Sequence, residues 1–424
     1  MMKPERLTAI FFLGAILISL CLVFAGVLIR ASEKLTEASK NVYTDWEKLY
    51  PFENSTAHLP ENNVTTPKQS LFRFANYLKE KIGAYTSEKI AGSFKFVKAA
   101  KTYEDLIGWN ITVQGYNPVI KLNDGYLSTI TVNMDVSENI QAVKELNDFC
   151  RERNIDYAYI NIPAKVCASD DTGISGILDY ANQNADKLLD AIGRAGVKCY
   201  DFRKILHEDG MNHHKAFFIT DHHWKPETGL WAAKHILEFL RDDFGWKVDP
   251  EILNPDRFEY KVYPEWFLGS QGKKVTLART KPDDFTIIYP KFRTLIRFEV
   301  PTRELDISGD LSITYDMEHV ELKDYYKLNP YAAYKYADQP LTRIHNLLNH
   351  NGKKILIIHD SLSNCVIQFV SLGIEYTDEL DLRHFTGSLR SYIKSTKPDI
   401  VFTAYNASIP GHTDAYYKKF YDFR

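Results

Sequence analysis

Near the middle of the chain lies the run FFITDHHW, residues 217–224. Its apolar start predicts a buried β-strand, and Asp221 with two histidines follows at the end of that strand. Pro226 and Glu227 then begin an amphipathic helix, because proline is common in the first helical turn. An Asp-x-His pair at a strand end is typical of a serine hydrolase, since the carboxylate fixes the imidazole tautomer and stabilises the imidazolium. Such a pair requires a nucleophile from elsewhere in the chain.

Helical and strand patterns alternate on both sides of this run. The alternation predicts an α/β fold, in which a mainly parallel sheet is flanked by helices. In such a sheet, functional residues gather beyond the carboxyl ends of the strands. The predicted helices are 137–153, 181–195, the helix from Pro226 through Arg241, and 386–396; the predicted strands are 157–162, 197–200, 353–358 and 400–404.

The regular alternation stops at residues 255–320, where period-2 patterns predict a β-rich, antiparallel insert. The α/β domain is therefore predicted to comprise residues 137–254 and 321–424. Residues 69–136 are predicted to be helical at first and strand-like afterwards. Residues 31–68 are polar and contain prolines, which is typical of a linker or stalk.

The N-terminal 30 residues contain a strong membrane signal. Residues 7–29 include no charged side chain, and at about 1.5 Å per residue a helix of this length crosses a hydrocarbon core of about 30 Å. The flanking positive charges, Lys3 and Arg6 before and Arg30 and Lys34 after, are nearly balanced. A short tail before one span favours a signal-anchor, with a single-pass protein in the cell membrane and its body outside the cytoplasm. Cleavage of the segment is the alternative.

The composition excludes some partners. The chain has 424 residues and a net charge of −3, and no basic block carries interleaved aromatic residues, so we expect no nucleic-acid partner. No cofactor motif is present, and we expect none. The cysteines at 150, 167, 199 and 365 match no zinc-binding pattern. Either a Cys167–Cys199 disulfide or unpaired thiols are compatible with the sequence.

A candidate nucleophile follows the strand at 353–358. There the chain continues as HDSLSN, residues 359–364, and an apolar helix follows. A buried strand that breaks into polar residues and then a helix can present an exposed serine, here Ser361, with backbone N–H groups near it for an oxyanion. A helix N-cap is the other interpretation of Ser361, and Ser363 is the alternative hydroxyl.

These two motifs together resemble the SGNH hydrolase superfamily. Their order, Asp-x-His before Asp-Ser, is permuted and resembles more closely the DHHW family and the related alginate O-acetyltransferase proteins. The resemblance covers about residues 140–410, and the DHHW sequence itself occupies residues 221–224. It implies that Ser361 is the nucleophile, His223 the base and Asp221 the acid that orients the base.

The resemblance also implies, less directly, that Gly269 and Asn406 take part in oxyanion or substrate binding; a turn glycine and a loop asparagine are the alternatives. His359 stands where the family has glycine, which would put a bulky side chain beside the site. His222 is expected to face away from His223 or to pack structurally, and Trp224 to fill the core. A metal half-site at the Asp-His-His group is the competing interpretation. His213 and His214 lie close upstream, but nothing supplies the other ligands at metal spacing, so we predict no metal.

By this resemblance the protein is expected to be a membrane-anchored, extracytoplasmic O-acetyltransferase. It would acetylate an exported or cell-wall polysaccharide through an acyl-serine, with acetyl groups supplied by a membrane-bound O-acyltransferase partner. A carbohydrate acetylesterase would use the same three residues with water as acceptor. A non-catalytic glycan-binding or assembly protein that retains the fold is the third hypothesis.

Overall fold

The computed structural model describes residues 119–122, 124–167, 179–277 and 279–424, together with the backbone of residues 111–113. The predicted membrane span, the predicted linker and the predicted helical region before residue 111 lie outside these residues. In the part of the chain that is described, no helix combines the length and the apolar character needed to cross a membrane.

The strands of the described residues form three sheets. The first is a small antiparallel sheet, the second is the central sheet, and the third is a two-stranded antiparallel ribbon. In chain order the strands are β1 (Ile111–Val113), β2 (Val119–Lys121), β3 (Leu127–Ser128), β4 (Asp156–Ile162), β5 (Lys198–Asp201), β6 (Phe258–Phe267), β7 (Asp283–Pro290), β8 (Ile296–Val300), β9 (Leu305–Gly309), β10 (Leu341–Asn346), β11 (Lys354–His359), β12 (Tyr376–Leu380) and β13 (Ile400–Asn406).

Helices cover both faces of the central sheet, as expected when parallel strands are joined by helical crossovers. The four longest helices of the described residues are α1, α2, α4 and α8, and they fall where the sequence predicts helices. In chain order the helices are α1 (Ser137–Arg151), α2 (Ala181–Arg194), α3 (Phe202–Glu208), α4 (Pro226–Asp242), α5 (Ser270–Val275), α6 (Glu318–Glu321), α7 (Ile367–Val370), α8 (Leu389–Thr396) and α9 (Ala415–Lys418).

The central sheet has the strand order β5-β4-β13-β11-β12-β10-β8-β9 within the described residues. The first five strands in this order are parallel, and β10, β8 and β9 continue the sheet antiparallel. All seven residues of β13 are buried, which is characteristic of a strand covered on both faces. The prediction of an α/β fold with a mainly parallel sheet is confirmed.

The predicted insert at residues 255–320 divides between two sheets. β6 and β7 pair only with each other in the ribbon, whereas β8 pairs with β10 and so carries β9 onto the central sheet. Period-2 patterning is the same in both pairs of strands. This pattern indicates a pleated strand, but it does not predict which other strand will pair with it.

The predicted strand at the start of the 217–224 run is wrong. Phe217 forms only an isolated antiparallel bridge with Trp224, and the Phe218 N–H donates to the His223 carbonyl at 3.2 Å. The run therefore folds back on itself as a tight loop. Phe217 and Phe218 are both buried although they are adjacent, whereas alternate residues of a half-buried strand point to opposite faces. Two adjacent buried aromatic residues in a loop give the same apolar sequence pattern as a buried strand, which explains the wrong prediction.

The core lies on both faces of the central sheet, and β11 shows how one strand serves both. Ile355 and Ile357 pack in a cluster with α4, and Leu356 and Ile358 pack in a second cluster with α1 and α8. This alternation follows from the period of two along a strand. The buried strand thus holds its carboxyl end in a fixed place.

Two of the cysteines are not joined as one sequence interpretation allowed. Cys167 and Cys199 form no disulfide. The Cys167 sulfur lies 3.8 Å from Nε2 of His207, and the Cys199 thiol donates to the Val197 carbonyl at 3.4 Å.

α4 approaches the turn after β11 closely at Gly229. A Cβ on Gly229 would overlap the Cys365 carbonyl oxygen and would lie 2.6 Å from the Cys365 sulfur. Backbone cannot rotate away as a side chain can, so this helix position requires glycine.

We predict that Gly229→Ala lowers the free energy of unfolding by about 1–3 kcal/mol, because the added methyl group overpacks the turn. Gly193→Ala is the matched control, since Gly193 also lies in a helix and a methyl group added there would have no other group within 4 Å. There the better helix propensity of alanine should stabilise by about 0.5–1 kcal/mol. If the two substitutions change the free energy of unfolding in urea equally, the close approach at Gly229 makes no contribution to stability.

Candidate active site

The candidate site lies beyond the carboxyl ends of neighbouring parallel strands. β11 ends at His359 and leads to Ser361, β12 leads to Asp381, and β13 ends at Asn406. Parallel pairing brings these ends to one edge of the sheet, as the sequence analysis expected. Ser361 and Asn406 line a cavity of about 520 Å³. Asp381 pairs with Arg383, which also lines this cavity.

Ser361 is presented by a 3₁₀ turn, Ser361–Cys365, which begins directly after Asp360. The Asp360 carboxylate caps this turn by accepting the Leu362 N–H at 2.9 Å, and its second oxygen accepts the Asn406 N–H at 2.6 Å. Ser361 is partly exposed while the residues on either side of it are buried. The cap therefore holds the serine hydroxyl at the strand tip, facing the cavity. Burial raises the pKa of Asp360 to about 6 despite these N–H donors.

The structure brings Ser361, His223 and Asp221 into one hydrogen-bonded chain. His223 Nε2 lies 2.8 Å from Ser361 Oγ, and His223 Nδ1 lies 2.5 Å from Asp221 Oδ1. With the carboxylate ionised, Nδ1 carries the proton and Nε2 is left to accept the hydroxyl proton of the serine. The base and the serine are 138 residues apart in the chain and meet at hydrogen-bond distance.

Asp221 is buried, yet it is held in its charged form. Burial by itself would raise its pKa, but His222, His223 and the Ser270 N–H, which donates to Oδ2 at 2.6 Å, bring the pKa of Asp221 well below its ordinary value. A carboxylate that stays ionised can stabilise a positive charge on His223 when the imidazole takes up a proton.

The His223 ring is held in place by two other rings. Tyr331 stacks on it with centroids 4.0 Å apart and planes 20° apart, and His222 contacts it with centroids 3.9 Å apart. The expectation that His222 faces away from His223 is therefore wrong, and His222 is instead exposed with Nδ1 at 3.2 Å from Ser270 Oγ. Two ring contacts restrict the imidazole to the orientation that serves Ser361.

One carbonyl joins the two motifs. The Leu362 oxygen accepts the Trp224 indole N–H at 2.7 Å and the Tyr331 hydroxyl at 3.0 Å. Trp224 is buried, as the sequence analysis expected. Because Trp224 directly follows His223 and Leu362 directly follows Ser361, these bonds fix the base relative to the serine.

Buried charged side chains hold the loop that carries Asp221, in addition to a backbone hydrogen bond from the Leu127 N–H of β3 to the Ile219 carbonyl. The Asp283 carboxylate accepts the N–H groups of Ile219 and Thr220 at 2.7 and 2.8 Å. The Lys165 ammonium donates to Leu127 O at 2.6 Å, to Gln271 Oε1 at 2.9 Å and to Ile219 O at 3.3 Å. Each is a buried charge, so each must be paired to be tolerated.

Gly269 lies beneath Asp221 and not at the serine. A Cβ on Gly269 would overlap the Asp221 Cβ, and the Gly269 N–H donates to Thr220 Oγ1 at 2.9 Å. Since that donor is already used, the geometry does not fit the predicted contribution of Gly269 to an oxyanion hole. Its close approach instead lets the next amide, that of Ser270, reach the Asp221 carboxylate.

Asn406 does border the cavity, but its polar groups serve the fold. Its side-chain amide donates to the Pro163 carbonyl at 2.7 Å, and its side-chain oxygen accepts from the N–H and hydroxyl of Ser408 at 2.9 and 2.6 Å. Its backbone N–H donates to the Asp360 carboxylate. In this arrangement Asn406 positions the serine turn.

The lining of the cavity also includes a cation and aromatic rings. The Arg383 guanidinium donates to Asp338 Oδ2 and to the Tyr416 hydroxyl, both at 2.9 Å, pairs with Asp381, and lies 5.2 Å from the Phe420 ring centre. The Tyr416 side chain remains 46% exposed. An exposed aromatic ring beside a held guanidinium offers a stacking surface at the mouth of the cavity.

His359 does not stand beside the cavity as the sequence analysis expected. It is buried, its Nδ1 lies 2.7 Å from the Asp360 carbonyl oxygen, and its Nε2 lies 3.4 Å from Glu379. Glu379 in turn pairs with the buried Lys335 and accepts from Thr342. The bulky side chain thus belongs to a buried ionic cluster beneath the strand that presents the serine.

Four residues important for this geometry were not found from the sequence: Tyr331, Arg383, Lys165 and Asp283. Tyr331 and Arg383 lie in segments without a motif, and an isolated tyrosine or arginine carries no positional signal. Lys165 follows the strand β4 by three residues, so a polar residue beyond a strand end was the one available hint.

Comparisons with known proteins agree with this fold. The family model described as "SGNH hydrolase-like domain, acetyltransferase AlgX" matches residues 124–261, which include the DHHW sequence. PatB1 of Bacillus cereus, seen with a sulfonyl adduct, is similar in structure with a TM-score of 0.58 at 18% identity, covering 73% of this chain and 99% of PatB1. A DHHW family protein of Eubacterium siraeum is similar with a TM-score of 0.51 at 17% identity, covering 73% of this chain and 96% of that protein. The resemblance to the SGNH-like, DHHW-type proteins is thereby confirmed.

One curated protein matches in sequence over a limited stretch. The protein called alpha-galactosidase of Escherichia coli is 27% identical over 131 residues, and the chain spans only 18% of its length.

We predict a pH-dependent contribution of Lys165 to stability. Burial lowers the pKa of its ammonium to about 7, although Asp221 and Asp283 oppose this. Between about pH 7 and 10 the unfolded chain therefore binds a proton at Lys165 that the folded protein does not, so the free energy of unfolding rises with pH. The difference between wild type and Lys165→Met should rise across this window by up to about 1.4 kcal/mol per pH unit.

The control is Lys187→Met, because Lys187 lies exposed on α2. Urea unfolding of the three proteins at a series of pH values gives the comparison. Parallel stability profiles for wild type and Lys165→Met between pH 7 and 10 would contradict the lowered pKa of Lys165.

Proposed function

We propose that the protein transfers acetyl groups to hydroxyls of an exported or cell-wall polysaccharide, in keeping with the match of residues 124–261 to an SGNH hydrolase-like acetyltransferase domain. The reaction would pass through an acyl-serine on Ser361, with His223 as base and Asp221 as orienting acid. The observation that carries the proposal is the chain of short hydrogen bonds from Asp221 through His223 to Ser361 at the floor of a cavity.

In the first half-reaction, Ser361 Oγ attacks the acetyl carbonyl of a donor ester while His223 Nε2 takes the hydroxyl proton. The negative charge that develops on the carbonyl oxygen needs hydrogen-bond donors. The N–H of Ser361 suits this role, because the first residue of a helical turn has no acceptor for its N–H within that turn. The donor alcohol then leaves with the proton from His223, and the acetyl group stays on Ser361.

In the second half-reaction, a sugar hydroxyl replaces the donor alcohol. His223, now neutral again, removes its proton as it attacks the acyl-serine. When the tetrahedral intermediate collapses, the bond to Ser361 Oγ breaks, and this oxygen takes the proton back from His223. Asp221 stabilises the imidazolium in both halves, which its lowered pKa supports. The cavity of about 520 Å³ is in the size range of small-ligand sites, and Tyr416 at its mouth offers a face on which a sugar ring can stack.

Membrane attachment and an acyl-donating partner complete the proposal. Residues 7–29 would anchor the protein as a single span with its body outside the cytoplasm, and a membrane-bound O-acyltransferase would supply acetyl groups. This placement suits an exported polymer as substrate, since polymer and active site would then share a compartment.

Hydrolysis is the second candidate function, and the partial exposure of Ser361 itself favours it. An open cavity admits water, and water as acceptor turns the same residues into an acetylesterase. Glycosidase activity, which the name of the Escherichia coli relative would suggest, would use two facing carboxyl groups at the scissile bond. Asp338 and Asp360 line the cavity, but Asp360 accepts the N–H groups of Leu362 and Asn406, and Asp338 accepts from Asn364 and Arg383.

We predict that a sulfonyl fluoride modifies Ser361 and that labelling depends on the hydrogen-bonded chain. Peptide mass spectrometry should find the adduct on Ser361 in wild type. Asp221→Asn should slow labelling and acetyl turnover by roughly 10³–10⁴-fold, because the imidazole loses its preferred tautomer. Ser361→Ala should abolish labelling at this peptide.

Ser363→Ala is the control for the second hydroxyl of the turn, which is buried two residues further on. This variant should label and turn over acetyl esters at a rate close to wild type. An adduct on Ser363, or unchanged acetyl transfer in Ser361→Ala, would overturn the assignment of Ser361 as the nucleophile. Absence of both labelling and acetyl turnover in wild type would favour the non-catalytic glycan-binding hypothesis.

The choice between transferase and esterase is tested by adding acceptor. The purified full chain is incubated with 4-nitrophenyl acetate, with and without cell-wall oligosaccharides, beside the Ser361→Ala variant. We expect acetylated oligosaccharide by mass spectrometry, with faster release of nitrophenol as acceptor concentration rises. Free acetate at a rate independent of the oligosaccharide would establish hydrolysis instead.

A further inference from the structure

A second group of reactive side chains lies away from the serine. Cys167 follows β4, His207 lies in the last turn of α3, and His213 lies in the loop after α3. Cys167 Sγ is 3.8 Å from His207 Nε2, and one ligand atom of each of the three residues lies within 4.8 Å of the others. None of the three belongs to the proposed acyl-transfer chemistry.

The spacing of these atoms is close to that of a tetrahedral metal site. Bond lengths of about 2.3 Å to sulfur and about 2.0–2.1 Å to nitrogen place a sulfur and a nitrogen ligand about 3.6 Å apart, and two nitrogen ligands about 3.4 Å apart. The 3.8 Å between Cys167 and His207 is near this value. The remaining separations are at most 4.8 Å, so they exceed the tetrahedral values by at most about 1.4 Å, and binding an ion would have to draw the three side chains together by that amount.

A backbone carbonyl holds the His213 ring. Its Nε2 lies 2.8 Å from the Ala164 carbonyl oxygen, so Nε2 carries the proton and Nδ1 is the nitrogen that can bind a cation. A histidine ligand of a metal commonly donates its other ring N–H to a carbonyl or carboxylate in this way. His213 is also buried, whereas Cys167 is half-buried and His207 exposed, so an ion could enter from the His207 side.

Two other groups in the described residues have comparable spacing, and each has another explanation. Asp338 and Asp381 pair with Arg383, and Asp221, His222 and His223 belong to the serine site. Moreover, one thiolate and two imidazoles form a softer ligand set than carboxylates, and such a set suits zinc and its neighbours among the late transition metals.

We propose that Cys167, His207 and His213 bind one zinc ion or a similar divalent late transition metal ion. Binding replaces the thiol proton of Cys167 with a metal–sulfur bond, and the proton is released to water. Three protein ligands leave the fourth position for water or a further ligand. The sequence spacings of 40 and 6 residues match no zinc motif, which is why the cysteine pattern predicted no metal.

The bound ion would tie the loop after β4 to α3. That loop also supplies the Pro163 carbonyl for Asn406 and the Lys165 ammonium for the loop of Asp221. A bound ion would therefore stiffen a segment on which the serine site rests.

Cobalt is the sharpest probe, because a cobalt–thiolate bond absorbs light by charge transfer. The full chain is stripped with a chelator and titrated with Co²⁺. We expect a near-ultraviolet charge-transfer band that saturates at one equivalent and is displaced by Zn²⁺. Cys167→Ser should lose the band, and His207→Gln should weaken binding at least tenfold. Cys199→Ser, which changes another half-buried cysteine, should retain it.

Cobalt bound at Asp221, His222 and His223 would give no thiolate band and would not depend on Cys167. A missing band in wild type, or an unchanged band in Cys167→Ser, would refute the site. If Cys167→Ser does not fold, alkylation of wild type provides the second measurement: Zn²⁺ should protect Cys167 from iodoacetamide while leaving Cys199 as reactive as before. Equal alkylation of Cys167 with and without Zn²⁺ would likewise refute it.

Discussion

The hydrogen bond from the Trp224 indole to the Leu362 carbonyl, 2.7 Å long, is the contact on which the geometry of the site depends. It joins the residue after His223 to the residue after Ser361. Tyr331 donates to the same oxygen and stacks on the His223 ring. This one buried carbonyl oxygen therefore fixes the position of the base relative to the serine turn. Leaving such a buried donor or acceptor unpaired costs about 1–3 kcal/mol, which makes any alternative arrangement of the two motifs unfavourable.

A similar principle governs the loop that carries Asp221. Within the described residues this loop has one internal bridge and one backbone hydrogen bond from β3, from the Leu127 N–H to the Ile219 carbonyl. Buried charges supply further contacts to its backbone, because Asp283 accepts two of its N–H groups and Lys165 donates to the Ile219 carbonyl. Side-chain charges can reach backbone groups that no neighbouring strand could reach. Burial removes both charged groups from water, which disfavours their charged forms. Burial therefore lowers the pKa of Lys165 and raises the pKa of Asp283.

The segment between β4 and α2 connects the parts of the molecule that bear on function. Pro163 holds Asn406, Ala164 holds His213, and Lys165 holds the loop of Asp221. Three consecutive residues therefore contact the serine site, the proposed metal ligands and the base loop. An ion bound at Cys167 would act on the proposed acyl transfer through this segment, by restricting its motion rather than by contacting substrate.

By itself, the sequence determined the α/β alternation, the helices around the sheet, and the candidates Asp221, His223 and Ser361, because periodicity and short motifs are properties of neighbouring residues. It could not determine that residues 217–219 form a loop, that β8 and β9 join the central sheet, or that the Gly269 and Asn406 donors are used within the fold. Those features depend on which partner each backbone group finds. Only the tertiary structure decides this, since the partners lie tens to hundreds of residues away and compete through packing and burial.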